Sequence, residues 1–365
     1  MKQASGHHSP RRDAQSAIHP DHVAPLMAAA TVTHSGAQAT GQGTRLPRPS
    51  PSAAAPVERS SPSNEVVVIT VNAQQILTHS RARLRELAKA VRHRPAAADG
   101  NYYTPDVVMV NEVSAMDLEK LRDDFNDLFS SNSYSIFGAT SDDAKSKFLV
   151  NQTTMGARSF RTWPDVCVPD VRYQLIDVRE LKSDIDVTIG GVHIRADYTG
   201  KGGRSCKNQN VLEARKQLAA AETGVLIIGD FNRRAMVVQR ECDPEETSGE
   251  ESWYTDMTSL SSVDNRTYID SVRYCRRAED STMWHEWTHE QKDLSTLCDG
   301  TVGHRRNRID YIFASESLQP LEAHADHPGW ARADEPGAIG CTPTPDCKYA
   351  DHRFVWARVG LGPRE

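Results

Sequence analysis

Short runs of apolar and β-branched residues, each closing on a polar side chain, recur along this 365-residue chain. Residues 66–71 (VVVITV) run into Asn72, residues 107–110 (VVMV) into Asn111 and Glu112, and residues 225–228 (VLII) into Gly229-Asp230-Phe231-Asn232. Unbroken runs of this kind predict strands covered on both faces. The stretches between them have a helical period. In residues 76–93, Leu84, Leu87, Ala88 and Val91 fall at i, i+3, i+4 and i+7 with Arg and Lys opposite, and Pro95 lies just beyond. Leu118, Leu121, Phe125 and Leu128 mark the buried side of a second helix. Strand, helix and strand in that order form a β-α-β unit whose polar strand ends converge, the place where α/β sheets keep their chemistry.

The rest of the chain follows the same grammar. Residues 134–181 read as several strands, with residues 148–150 and the alternation over 173–178 the clearest of them. Residues 185–193 are expected to fold as a hairpin about Gly190-Gly191, and to lead into a Gly-rich loop over 199–203 and a helix over 209–222. An acidic, turn-rich stretch covers 243–251. Polar residues then interrupt apolar ones at Arg308-Ile309-Asp310-Tyr311-Ile312-Phe313, and Tyr349-Ala350-Asp351-His352-Arg353 precedes a last strand over 354–359. No internal repeat is visible.

Composition separates a tail from a domain. Residues 1–64 are rich in Ala, Ser, Pro, His and Gly, which bury too little apolar surface to offset the entropy of ordering. Lys2, Arg11 and Arg12, a weak apolar patch over 24–32 and Ala37-Gln38-Ala39 stand in the order of an export signal; a plain polar tail fits equally. Residues 65–365 form the folded domain. A formal charge of −6 argues against a protein held on nucleic acid by bulk charge, though not against a locally basic site. The seven Cys contain no CxxC pair, which disfavours a zinc ribbon. Their scatter suits two or three disulfides and an oxidising compartment, secreted or periplasmic, or else reduced core cysteines in a cytoplasmic protein.

The polar residues at strand ends are Asn72, Glu112, His193, Asp230, Asn232, Asp310, Asp351 and His352. Ordinary strand ends carry Gly, Pro or Ser, and eight acids, amides and imidazoles exceed what turn chemistry requires. Carboxylates gathered in one cleft repel and raise one another's pKa unless a cation stands among them. Oxygen-rich ligands without Cys point to Mg²⁺ or Mn²⁺ over Zn²⁺. Such a site is equipped for phosphoester hydrolysis: the metal offsets charge, one group handles the water's proton, and donors hold the phosphoryl oxygens.

Six blocks in order resemble the endonuclease/exonuclease/phosphatase (DNase I-like) superfamily. Thr70-Val71-Asn72 is similar to its first-strand asparagine motif, Val110-Asn111-Glu112-Val113 to its QE motif and Gly191-Val192-His193-Ile194 to its THL motif. Gly229-Asp230-Phe231-Asn232, Arg308-Ile309-Asp310-Tyr311-Ile312 and Ala350-Asp351-His352-Arg353 resemble its GDFN, RIDYIF and SDHRP motifs. The resemblance implies a four-layer α/β/β/α sandwich of two packed mixed sheets with flanking helices. It implies Glu112 as the principal ligand of Mg²⁺ (or Mn²⁺), with Asn72 and Asp351 beside it. His352, oriented by Asp310, would be the acid/base; Asp230 and Asn232 would place nucleophile and phosphate, with Asp230 an alternative base; His193 would stabilise the phosphoryl oxygens. Val71 stands where the family has Trp, Asn111 where it has Gln, Ala350 where it has Ser or Thr, and Gln74 where repair-type members have a carboxylate. Gln74, with His193 in place of a Tyr-bearing motif, moves the resemblance away from abasic-site repair enzymes and toward the DNase-like, toxin-like and sphingomyelinase-like branches.

Basic residues gather beside the motifs: Arg233 and Arg234, Arg305, Arg306 and Arg308, and Lys201, Arg204 and Lys207. Such positions suit the register contacts of a phosphate-rich polymer, with Arg233, Arg234 and Arg308 expected to bind substrate. A membrane-active sphingomyelinase would need an apolar wedge, for which Met283, Trp284 and Trp287 are interrupted by His285 and Glu286. The expectation is an exported endonuclease acting on DNA or RNA, with a sphingomyelinase-like hydrolase or an inactive binding or toxin subunit as alternatives. A Cys341–Cys347 disulfide is expected ahead of Asp351-His352.

Overall fold

A computed structural model describes residues 58–59, 64–73, 85, 88–89, 102–196, 200–240, 243–276, 288–296, 302–325 and 352–362. Its main elements are β1 (Glu65–Asn72), β2 (Val107–Asn111), α1 (Ala115–Leu128), β3 (Tyr134–Phe137), β4 (Ser146–Asn151), β5 (Met155–Pro164), β6 (Arg172–Glu180) and β7 (Ile185–His193). They continue with α2 (Gly200–Leu218), β8 (Gly224–Asp230), α3 (Ser252–Thr258), β9 (Tyr268–Asp270), α4 (Ser271–Arg276), β10 (Asp310–Ser315), β11 (Gln319–Ala325) and β12 (Val355–Gly360). One six-stranded sheet runs β11-β12-β1-β2-β4-β3 and the other β9-β10-β8-β7-β6-β5. In each, two inner strands are parallel neighbours, β1 with β2 and β8 with β7. The other pairings are antiparallel.

Period-two alternation builds the layers. Val66, Val68, Val107, Met109, Phe148, Leu226, Ile228 and Ile312 fill the space between the sheets. The intervening positions Ile69, Val71, Val108 and Val110 face outward, against Leu118, Leu121 and Phe125 of α1. On the far side, Val225, Ile227 and Phe313 meet Val211, Ala214 and Leu218 of α2 and Trp253 of α3. The result is the four-layer α/β/β/α sandwich. Each fully buried Val, Ile or Leu contributes about 1.5–3 kcal/mol, so it is this double coverage that fixes the register. Ser114 caps α1, its hydroxyl accepting the Asp117 N–H at 3.2 Å. Of the helix expected over 76–93, residues 85, 88 and 89 are described and are helical, with Ala88 in the outer core.

Three expectations change. Residues 185–193 are one strand and no hairpin; the reversal lies ahead of it, where Asp184 adopts φ 60° between β6 and β7. Gly191 serves close packing inside that strand, since a Cβ there would meet Phe148 Cζ at 2.8 Å and Ser146 Cβ at 2.9 Å. The helix expected over 209–222 is Gly200–Leu218, so the Gly-rich stretch is its first turns. Tertiary anchors hold that end: Cys206 is disulfide-bonded to Cys167, and Asn210 donates to Asp165 at 3.0 Å. Arg266 stops the other end by donating to the Leu218 and Ala221 carbonyls. The acidic stretch over 243–251 is largely a strand, Asp243–Glu250, paired with Met236–Arg240.

Candidate active site

The same alternation that fills the core aims polar groups at one end of it. Continuing the inward series of each strand in steps of two reaches Asn72 on β1 (past Thr70), Asn111 on β2, His193 on β7 (past Gly191), Asp230 on β8 and, read backward from Ile312, Asp310 on β10. Asn72 stands beside Asn111, and Asp230 beside both His193 and Asp310, in the strand registers. Gly229 permits this close approach: its φ is +134°, and a Cβ would lie 2.0 Å from the Val192 carbonyl oxygen.

The two sheets touch through these groups. Asn72 Nδ2 donates to Asp230 Oδ2 at 3.1 Å and to Glu112 Oε1 at 3.2 Å. Glu112 lies one residue past β2 with φ 53°, which turns its carboxylate back over the strand ends. His193 Nε2 is 3.2 Å from Glu112 Oε1 and 3.8 Å from Asp230 Oδ2. His352 Nδ1 is 2.8 Å from Asp310 Oδ2, so the proton on Nδ1 is held there and Nε2 turns toward Asp230 Oδ2 at 3.8 Å. Asn232 does not extend the strand. With φ 47° it folds back, its N–H donating to Asp230 Oδ1 at 2.7 Å and its Nδ2 to Asp230 Oδ2 at 3.0 Å and to the Ile194 carbonyl at 2.7 Å.

Electrostatics divide the carboxylates. Burial alone would raise the Glu112 pKa, but the hydrogen bond and charge of His193, with the Asn72 amide, outweigh it and bring it to about 2. At Asp230, burial and then the neighbouring Asp310 charge win, and the pKa rises to about 6. Asp230 is fully buried and Asp310 1% exposed, so this is a surplus of negative charge with little water to screen it.

A hard divalent cation fits this donor set. Ligand atoms of Asp230, Asp310 and His352 lie within 4.8 Å of one another, and the partly exposed Glu112 carboxylate joins them through Asn72 and His193. Both amide atoms of Asn111, the Thr70 hydroxyl and His193 Nδ1 are buried near these groups without a hydrogen-bond partner among the described residues. Polar atoms left over at such a place await water, ion or substrate. Oxygen and imidazole donors suit Mg²⁺ or Mn²⁺.

Asn72, Glu112, His193, Asp230, Asn232, Asp310 and His352 thus form one polar cluster. Asp351 and the Cys341–Cys347 pair lie outside the described residues, as do Met283, Trp284 and Trp287. Two of the three arginines expected to bind substrate, Arg308 and Arg233, make internal contacts. Arg308 forms a buried ion pair with Asp270 through both carboxylate oxygens and stacks over Tyr311 at 4.6 Å. Arg233 bonds Glu251 Oε2 at 2.8 Å and Asn208 Oδ1 at 2.7 Å. Arg234 is half-buried, and its carbonyl accepts the Trp253 indole N–H at 2.8 Å. Two further residues brace the site. The Thr288 hydroxyl accepts the Ile309 and Asp310 N–H groups at 2.9 and 3.0 Å, while its carbonyl accepts the Arg353 N–H at 2.6 Å, tying Asp310 to the segment that carries His352. Lys207 Nζ donates to the Asn232 carbonyl at 3.0 Å. Nothing in the sequence singles out Thr288, whose partners are all distant along the chain.

The sandwich, with catalytic-type residues at one end of both sheets, has the fold of the endonuclease/exonuclease/phosphatase (DNase I-like) superfamily. By sequence the chain matches no family model and no curated protein. Solved structures with this fold include a humanized D. rerio TDP2 carrying 14 mutations, at TM-score 0.54 and 12% identity over 81% of this chain and 99% of that one. D. rerio TDP2 complexed with a single-strand DNA product matches at TM-score 0.53 and 14% identity, over 81% and 98%. A Bacteroides vulgatus endonuclease/exonuclease/phosphatase matches at TM-score 0.51 and 12% identity, over 81% and 99%.

Proposed function

We propose that this chain is a divalent-metal-dependent phosphoester hydrolase whose substrate is the phosphodiester backbone of DNA or RNA. The observation that carries the hydrolase reading is the single cleft in which an Asp310-held His352 faces Asp230, and Asn72 links Asp230 to a strongly acidic Glu112. Glu112, with Asp230, Asp310 and Asn72 close by, would hold Mg²⁺ or Mn²⁺, which when bound supplies charge for the phosphoryl oxygens.

The side chains divide the remaining work. Asp310 fixes the His352 tautomer, leaving Nε2 to take the proton from an attacking water. Asp230 already accepts three N–H groups, from Asn232 twice and Asn72 once, and is the fixed acceptor that aims the water. His193 would stabilise the charge that develops on the phosphoryl group, while the Asn72 amide N–H groups are held by Asp230 and Glu112. The complete set argues against an inactive subunit.

The nucleic-acid reading has separate support: the D. rerio TDP2 of the same fold is complexed with a single-strand DNA product. Arg233 and Arg308 are engaged internally, so the contacts to a nucleic-acid backbone would come from other basic residues beside the motifs. The Cys167–Cys206 disulfide supports a secreted or periplasmic location. Among the described residues no helix is long and apolar enough to cross a membrane. The test is to incubate purified protein with plasmid DNA, single-stranded DNA, RNA, sphingomyelin and a sugar phosphate, with Mg²⁺ or with EDTA. Metal-dependent cleavage of the polynucleotides is expected. Cleavage of sphingomyelin or the sugar phosphate alone would refute the nuclease reading, and no cleavage of any would refute the hydrolase.

A further inference from the structure

Glu112 reaches the cleft from an elbow of only three residues, Glu112, Val113 and the helix-capping Ser114, between β2 and α1. Its left-handed backbone, φ 53°, is a conformation that a residue with a side chain holds only when its surroundings impose it. On one side the elbow is fixed by the Ala73 N–H, which donates to the Asn111 carbonyl at 3.0 Å. On the other stands Lys147.

Lys147 lies on β4 directly opposite Val110. Its neighbours Ser146 and Phe148 face the space between the sheets, so its own side chain rises on the α1 side. It is 3% exposed, and its Nζ donates to the Val113 carbonyl at 2.6 Å. Among the described residues it has no carboxylate within ion-pair distance. Burial lowers its pKa, and the nearby N-terminus of α1 is also unfavourable to a cation. An ammonium retained against both penalties, and spent on one carbonyl of the elbow, has a structural task there.

We propose that Lys147 is a positioning residue for the metal centre: its bond to the Val113 carbonyl holds the elbow so that Glu112 presents its carboxylate to the divalent ion. This rests on Glu112 being the metal ligand of the proposed hydrolase. Outer residues that orient a metal ligand change affinity by about 10–100-fold when removed. They do so without touching substrate.

The experiment is calorimetric titration of the full chain with Mg²⁺ and Mn²⁺, comparing wild type, Lys147→Met, Lys147→Gln and Glu112→Gln. Lys147→Met keeps the apolar stem and removes the donor; metal affinity is expected to fall about 10-fold, with Lys147→Gln in between because it retains a shorter donor. Melting of the metal-free Lys147→Met protein is expected at or above the wild-type temperature, because a well-packed apolar group replaces a buried charge. At saturating metal the substrate KM should be unchanged. If Glu112→Gln weakens metal binding while both Lys147 variants bind like wild type, the positioning role is wrong and the metal site stands. If Glu112→Gln itself binds metal like wild type, Glu112 is not a ligand and both fall. Should Lys147→Met fail to fold, Lys147→Gln decides alone.

Discussion

The two sheets meet the cleft with different chemistry. In one, the inward-facing strand ends carry neutral groups, Asn72, Asn111 and Ser146; in the other they carry His193, Asp230 and Asp310. The ionisable groups that accompany the neutral sheet, Glu112 and His352, stand just outside its strands, on the elbow after β2 and on the segment ahead of β12. A charge borne inside a strand cannot swing away from its neighbour, because the backbone is bonded on both sides. The repulsion between Asp230 and Asp310 is therefore built in, and the amides across the gap and a cation are what answer it. Charges on turns can adjust, and they are placed where ligand and proton must be handled.

Substitutions at the charged strand ends are expected to have the largest effect. Replacing Asp230 or His352 by alanine is expected to lower kcat about 10³-fold at saturating Mg²⁺, read from initial rates on the best polynucleotide substrate. A loss below tenfold in either variant would remove that residue from proton transfer and water placement.

On the neutral side, Glu112→Gln should act through the metal. Affinity for Mg²⁺ is expected to drop about 100-fold by calorimetry, while excess metal restores much of the rate. An unchanged affinity would relocate the metal to the strand-borne pair.

Stability against pH separates the two kinds of carboxylate. The folded-state pKa of Asp230, about 6, lies above its ordinary 3.8, so the stability it contributes is full below about 4 and is lost as pH rises through 6. Glu112, lowered to about 2 from 4.5, does the opposite, and its contribution is lost only as pH falls below 4.5. The metal-free protein minus its Asp230→Asn variant should lose on the order of 2–3 kcal/mol between pH 4 and 7 in chemical denaturation, and Mg²⁺ should flatten the difference. A flat difference without metal would mean that Asp230 is not held charged against its neighbour.

The smallest catalytic effect is expected at Arg308. Arg308→Met leaves the buried Asp270 without its cation, with only the Tyr254 hydroxyl and the Arg273 N–H as donors, a loss of roughly 3–5 kcal/mol of stability, yet KM should stay within twofold of wild type at a temperature where the variant is folded. A large rise in KM with little loss of stability would restore Arg308 as a substrate contact.

Much of this is legible in the amino-acid order. β-branched runs mark the central strands β1, β2 and β8, and the spacing of Leu118, Leu121 and Phe125 marks the buried face of α1. A period of two also says that Asp230 continues the inward series of Leu226 and Ile228. Asn111 is open to the same logic but is hidden by its neighbour, since the charged Glu112 draws attention while the amide beside it is the strand-borne group.

What the sequence determined by itself is therefore local: which segments are strands and helices, where they stop, and which polar residues stand at the stops. Tertiary structure decided everything that depends on a partner far along the chain. It bonded the Asn232 amide to the Ile194 carbonyl, engaged Arg308 with Asp270 and Arg233 with Glu251, started α2 at its glycines, joined Cys167 to Cys206, and bonded the Thr288 hydroxyl to the Asp310 N–H. The reason is physical. Alternation and propensity act over a few residues, whereas the energy of a charge or an amide in a dry cleft is set by groups that only packing brings within about 3–4 Å.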